Sequence, residues 1–132
     1  MGFRFEFDSV NQILLARYEG KLTDELLAES QRAIREYSTA TDARAGIADY
    51  SSVAEFAVST AFIRQLASRE PAMPDPTRRP RIVVVPATVG FGLARMFQIM
   101  GESKNPLLEV VHSLDEAFAA LGVHSPHFEP LE

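Results

Sequence analysis

The chain predicts a single α/β domain with a mixed, mostly parallel five-stranded sheet covered by about four helices. Three observations carry that prediction. Segments with strand and helix patterns alternate from residue 13 onward, which in one domain implies crossover connections and a largely parallel sheet. Arg81-Ile-Val-Val-Val-Pro86 is a near-continuous β-branched run, the signature of a strand buried on both faces. Ser113-Leu-Asp-Glu116 is a capping box, which places a helix start at a defined residue.

The elements follow in order. Phe3, Phe5 and Phe7 alternate with Arg4 and Glu6, giving a first strand with one apolar face. Asp8-Ser-Val-Asn11 supplies turn residues, and Ile13 to Tyr18 reads as a second strand, antiparallel to the first. After a turn at Gly20, Thr23 is placed to cap a helix whose first turn carries Asp24 and Glu25. Leu26, Leu27, Ile34 and Tyr37 form its apolar stripe. Gly46 to Asp49 is a short third strand, followed by a polar loop, and a helix starts near Ser59 with Phe62, Ile63, Leu66 and Ala67 facing the core.

Pro71 stops that helix, and the segment 71–80 carries four prolines in ten positions, so it is read as a mobile loop. The strand at Arg81 follows, then a helix from about Val89 to Met100 closed by Gly101. Leu107 to His112 is the last strand, and the final helix ends at Gly122. The order is β-β-α-β-α-β-α-β-α over residues 1–122, with 123–132 as an irregular tail.

Composition narrows the function. The chain has 132 residues, 46% hydrophobic and 23% charged, ordinary values for a globular domain. A net charge of -5 argues against nucleic-acid binding, which needs a basic footprint. Arg78, Arg79 and Arg81 are the one local basic cluster and read as solvated charges around the proline-rich loop. No apolar run approaches the roughly 20 residues of a membrane span, and the N-terminus does not read as a signal peptide. With no cysteine there is no disulfide, thiol nucleophile or thiolate ligand. A cytoplasmic location is expected.

The turn at Gly20-Lys-Leu22, Asp49 closing a strand before Ser51, and the order of elements over residues 3–122 resemble the STAS domain, the SpoIIAA-like fold of anti-sigma-factor antagonists. Gly90-Phe-Gly-Leu-Ala-Arg-Met-Phe97 and Ser113 to Leu121 look more like the STAS/SEC14-type branch of bacterial proteins. The resemblance implies a protein-interaction or regulatory role. It also implies a phosphorylated serine in an Asp-Ser-Ser-Gly motif opening the second helix. Here that run is Ala57-Val58-Ser59-Thr60, so the usual phosphate-accepting position is Val58, which has no hydroxyl. Ser59 matches only the second serine and reads first as an N-cap, with a phosphate held at the helix N-terminus as the alternative.

No catalytic set assembles. There is no Gly-x-Ser-x-Gly elbow, Walker loop or His-Glu-x-x-His helix, and Gly90-Phe-Gly-Leu-Ala-Arg95 lacks the third glycine of a dinucleotide fingerprint. His124 and His127 have no nearby ligand partners in sequence, so neither a metal nor a cofactor is expected. Asp49, Tyr50, Ser51, Ser59 and Thr60 form a candidate ligand or regulatory site at the carboxyl end of the third strand, where open α/β sheets bind ligands. In the third helix Val89, Leu93, Met96, Phe97 and Met100 are expected to pack on the sheet. Phe91, Arg95, Gln98 and Ile99 then point elsewhere as a candidate interface. A second subunit, a ligand or the proline-rich loop could cover them. The leading expectation is a non-catalytic interaction domain that forms a homodimer or meets another protein. The alternative is a carrier or sensor of a small apolar ligand or lipid, with 71–80 as a lid.

Overall fold

The computed structural model describes residues 2–86 and 88–131. Its elements are β1 (Phe3–Asp8), β2 (Ile13–Thr23), α1 (Asp24–Thr41), β3 (Ala45–Ala57), α2 (Thr60–Ser68), β4 (Arg81–Val84), α3 (Thr88–Met100), β5 (Leu108–Val111), α4 (Leu114–Leu121) and β6 (Glu129–Pro130). They build one sheet in the order β5-β4-β3-β2-β1-β6. β2 to β5 run parallel, and β1 is antiparallel to both its neighbours. The predicted α/β class and the opening hairpin are therefore present. Among the described residues the sheet has six strands, because Glu129 and Pro130 of the tail pair with Phe7 and Glu6.

Two predicted ends move outward. β2 does not turn at Gly20 and β3 does not close at Asp49: the two continue together to Thr23 and Ala57. Gly20 adopts φ +75°, a left-handed conformation that glycine supplies freely, and the pairing shifts register beside it. The signal taken for a turn is thus a bulge in a ribbon. Tyr50, Val53 and Phe56 all pack on the core from this extension, which is why residues that read as a polar loop stay extended.

The caps match their sequence signals. Thr23 Oγ1 accepts the Leu26 N–H at 3.1 Å, Ser59 Oγ accepts that of Phe62 at 3.1 Å, and Ser113 Oγ accepts that of Glu116 at 3.2 Å. Each satisfies an amide the helix start leaves unpaired, worth about 1 kcal/mol per cap.

The two sheet faces bury different layers. Ile13, Leu15, Ile47, Ile82, Val84 and Ala117 pack together, with Leu114, Phe118 and Leu121 of α4 against them. The opposite face carries Leu14, Ala16, Tyr18 and Leu22 beneath Leu27 of α1 and Ile63 of α2. Parallel pairing aligns side chains in rows on this second face: Leu14, Gly46, Arg81 and Leu108 form one, and Ala16, Ala48, Val83 and Val110 the next. The centre of the face is therefore lined by glycine and alanine, and the helices above them meet a shallow floor.

Candidate functional site

The strand-end residues do not converge. Asp49 is buried, and its Oδ1 accepts the Ser51 N–H at 3.0 Å together with the Ser51 hydroxyl. Its Oδ2 pairs with Arg17 Nη1 at 3.3 Å, and Arg17 Nε reaches Glu6 Oε2 at 2.9 Å. Tyr50 is on the other face, stacked on Tyr18 with ring centroids 4.4 Å apart. Tyr18 donates its hydroxyl to Ser30 Oγ at 2.8 Å, and burial raises the pKa of both tyrosines, that of Tyr50 well above its ordinary value.

Ser59 and the adjoining Thr60 lie beyond the far end of the ribbon. The eight residue steps from Asp49 to Ala57 span roughly 25 Å of extended chain. The Ser59 hydroxyl donates to Asp24 Oδ2 at 2.9 Å, and its N–H donates to Asp24 Oδ1 at 2.9 Å. Asp24 thereby ties the start of α1 to the start of α2.

The inner stripe of α3 keeps the predicted Leu93, Met96 and Phe97, which pack on the core, and departs from the predicted one at its two ends. Val89 is 68% exposed and Met100 39%, whereas Gly90 is buried. Gly90, Ala94 and Phe97 face the interior, together with Leu93. The reason is close approach: a Cβ on Gly90 would stand 2.5 Å from both Phe56 Cζ and Val85 Cγ1. Among the expected interface residues, Phe91 stacks on His112 with centroids 4.2 Å apart. Arg95 donates to Gln98 Oε1, and Gln98 Nε2 donates to the Leu108 carbonyl at 2.8 Å. Ile99 is 65% exposed.

Between the helices and the alanine-glycine floor lies a cavity of about 130 Å³. Its wall is mostly apolar, drawn from Leu27, Tyr50, Phe56, Ile63, Phe97 and others, with Gln31 among its polar members. The small residues Ala16, Gly46 and Ala48 create it, and Met73 from the proline-rich segment closes one end: a Cβ at Gly46 would stand 2.8 Å from Met73 Cε. That segment is anchored there by Ala72, 5% exposed, and Met73, 1% exposed.

Arg81 also lines this cavity, as its one charged side chain among the described residues. Sequence reasoning placed it with Arg78 and Arg79 as a solvated charge. Arg79 does face outward, toward Asp42 Oδ1 at 3.3 Å, but Arg81 shares the row of Leu14, Gly46 and Leu108. Its Nη2 is buried without a hydrogen-bond partner, and no ion pair among the described residues involves it. Burial lowers its pKa to about 10, so it remains a cation at neutral pH. The signal was available: strand alternation puts Arg81 on the face of Val83 and below the helices.

Among the described residues no group of three or more His, Asp or Glu side chains is arranged to hold a metal ion. Among the described residues no helix is long and apolar enough to cross a membrane.

A mixed, mostly parallel sheet with three helices on one face and one on the other is the arrangement of a STAS-like α/β fold. The structure is similar to that of SpoIIAA, solved in its phosphorylated form and described as a Bacillus cell fate determinant. The TM-score is 0.53 at 18% identity, covering 89% of this chain and 96% of that one. The fold is SpoIIAA-like. No protein-family model and no curated protein sequence matches the chain.

Proposed function

We propose that the chain is a non-catalytic SpoIIAA-like regulatory or protein-interaction domain, with its contact surface where the end of α3 meets the start of β5. One observation carries this reading. Ile99 at 65%, Met100 at 39% and Leu107 at 39% exposure sit on two segments that the Gln98–Leu108 hydrogen bond ties together. Large apolar side chains grouped in this way mark a surface that is covered in use. A second copy is the partner we favour, because a two-fold contact buries one such patch on both subunits at once. Phe91 contributes less than its sequence position implies, since His112 already covers one face of its ring. Sedimentation velocity at high micromolar concentration tests the reading. A dimer that Ile99→Asp dissociates is expected, whereas a wild-type monomer unchanged by the substitution rejects it.

A phosphate switch is not carried over from SpoIIAA. The Ser59 hydroxyl is engaged by the Asp24 carboxylate, and a phosphoserine there would face a like charge.

A second reading is favoured by the cavity: a sensor or carrier of a small apolar molecule, with the segment around Met73 as its lid. The volume of about 130 Å³ is close to the roughly 150 Å³ of an apolar cavity that binds benzene. It falls short of the roughly 300–1,000 Å³ of drug-sized sites, so a whole lipid would need the lid to open. Native mass spectrometry tests this reading. A co-purified small molecule released on denaturation is expected, and a protein that is empty and insensitive to toluene rejects it.

A further inference from the structure

We propose that the cavity takes a small carboxylic acid, its apolar body lying over Ala16 and Ala48 and its carboxylate paired with Arg81. The proposal rests on the second reading above and names the ligand class for it. Three features of the site converge.

The first is an uncompensated cation. Arg81 Nη2 is buried with no partner in a wall with no other charged side chain among the described residues. Arg81 as a whole is half-buried, but a guanidinium nitrogen buried without a partner is unfavourable, and proteins pair or hydrogen-bond such groups. Burial lowers the Arg81 pKa only to about 10, so deprotonation at neutral pH does not relieve the problem. An incoming anion would.

The second feature is that Arg81 is held in place. Its backbone N–H donates to the Leu107 carbonyl at 3.2 Å. Its Cγ runs alongside Gly46, 3.7 Å from where a Cβ would stand, in the space that Met73 caps. Glycine at position 46 leaves room for the arginine stem and the methionine together.

The third is the match of size and charge. One planar guanidinium suits a carboxylate, which it can meet with two parallel hydrogen bonds. A phosphate dianion would leave most of its charge unanswered by a single arginine. A volume of about 130 Å³ holds a body of roughly benzene size. Benzoate and hexanoate are therefore suitable probes, and toluene is the neutral control.

The test is titration of wild-type protein and Arg81→Met with benzoate and with toluene, read by two-dimensional NMR and thermal melting. For wild type, benzoate should shift the Arg81 Nε–Hε resonance and the Ile63 and Met73 methyls, and should raise the melting temperature. Arg81→Met should melt higher than wild type without ligand, because it removes the unpaired charge, and should bind benzoate at least tenfold more weakly while still binding toluene. If toluene binds wild type and benzoate does not, the carboxylate assignment is overturned and the apolar-cavity reading stands. If neither ligand shifts the cavity methyls, both fall. Equal benzoate affinity in the two proteins also overturns the assignment. The Arg81 resonance in wild type decides the matter if the variant does not fold.

Discussion

The two faces of this sheet are closed differently, although the same strands supply both. Under α4 the strands present Ile13, Leu15, Ile47, Ile82 and Val84, each at most 2% exposed, in one continuous apolar layer. Under α1, α2 and α3 the central strands present Ala16, Gly46 and Ala48, a cavity remains, and an unpaired arginine lines it. Close packing is the rule in protein interiors, and the two layers differ in it. One layer is filled with large apolar side chains, and the other leaves a cavity with an arginine in its wall.

Truncation should separate the layers most strongly. Ile82→Ala under α4 should cost about 4 kcal/mol, and Ile63→Ala beside the cavity about 3 kcal/mol, because α2 can settle into existing space. Denaturant melts check the order, and a larger loss for Ile63 would break the comparison.

Acid sensitivity should come from the closed side of the molecule. Asp8 is buried and accepts hydrogen bonds from the Val10 and Asn11 amides, the Asn11 side chain and the His127 amide. Burial alone would raise its pKa, but these bonds outweigh it and hold the carboxyl below its ordinary value. A group with a depressed folded pKa stabilises the protein above its unfolded value, near 3.8, and loses that contribution as pH falls through the folded one. Stability should therefore fall below about pH 4, less steeply in Asp8→Ala, which at neutral pH should lose about 3 kcal/mol. Urea melts across the acid range measure both effects.

A smaller effect concerns the close approach of α3. Gly90→Ala should cost about 2 kcal/mol, since its Cβ would press on Phe56 and Val85. It should also change toluene binding by moving the helix over the cavity. The smallest effect on stability belongs to Ile99→Asp, within about 0.5 kcal/mol, with its consequence confined to association.

Most of the fold was legible because local signals agreed. The Thr23, Ser59 and Ser113 caps, the Ile82–Val85 run and the closing Gly122 each fix an element on their own. Gly20 misled, because a glycine with positive φ serves a turn and a bulge equally well. The extension of β3 stayed hidden because its apolar residues follow the bulged register, and strict alternation fails there. α3 is apolar on several sides, so period alone found Leu93, Met96 and Phe97 but not the ends of the stripe, and the missing side chain of Gly90 decided the first of them. The cavity was hardest to see. It arises from small side chains on three strands that meet only once the pairing register is known, and Arg81 gains its meaning from that row.

The most direct test of the contrast between the layers places one substitution on each face of β3. Ala45 packs in the layer under α4 and Ala48 lines the cavity. Denaturant melts of Ala45→Val and Ala48→Val compare them in the same strand. The account predicts opposite signs: a loss of about 1 kcal/mol for Ala45→Val from overpacking, and a gain of about 1 kcal/mol for Ala48→Val from filling space. Changes of the same sign in both would contradict it.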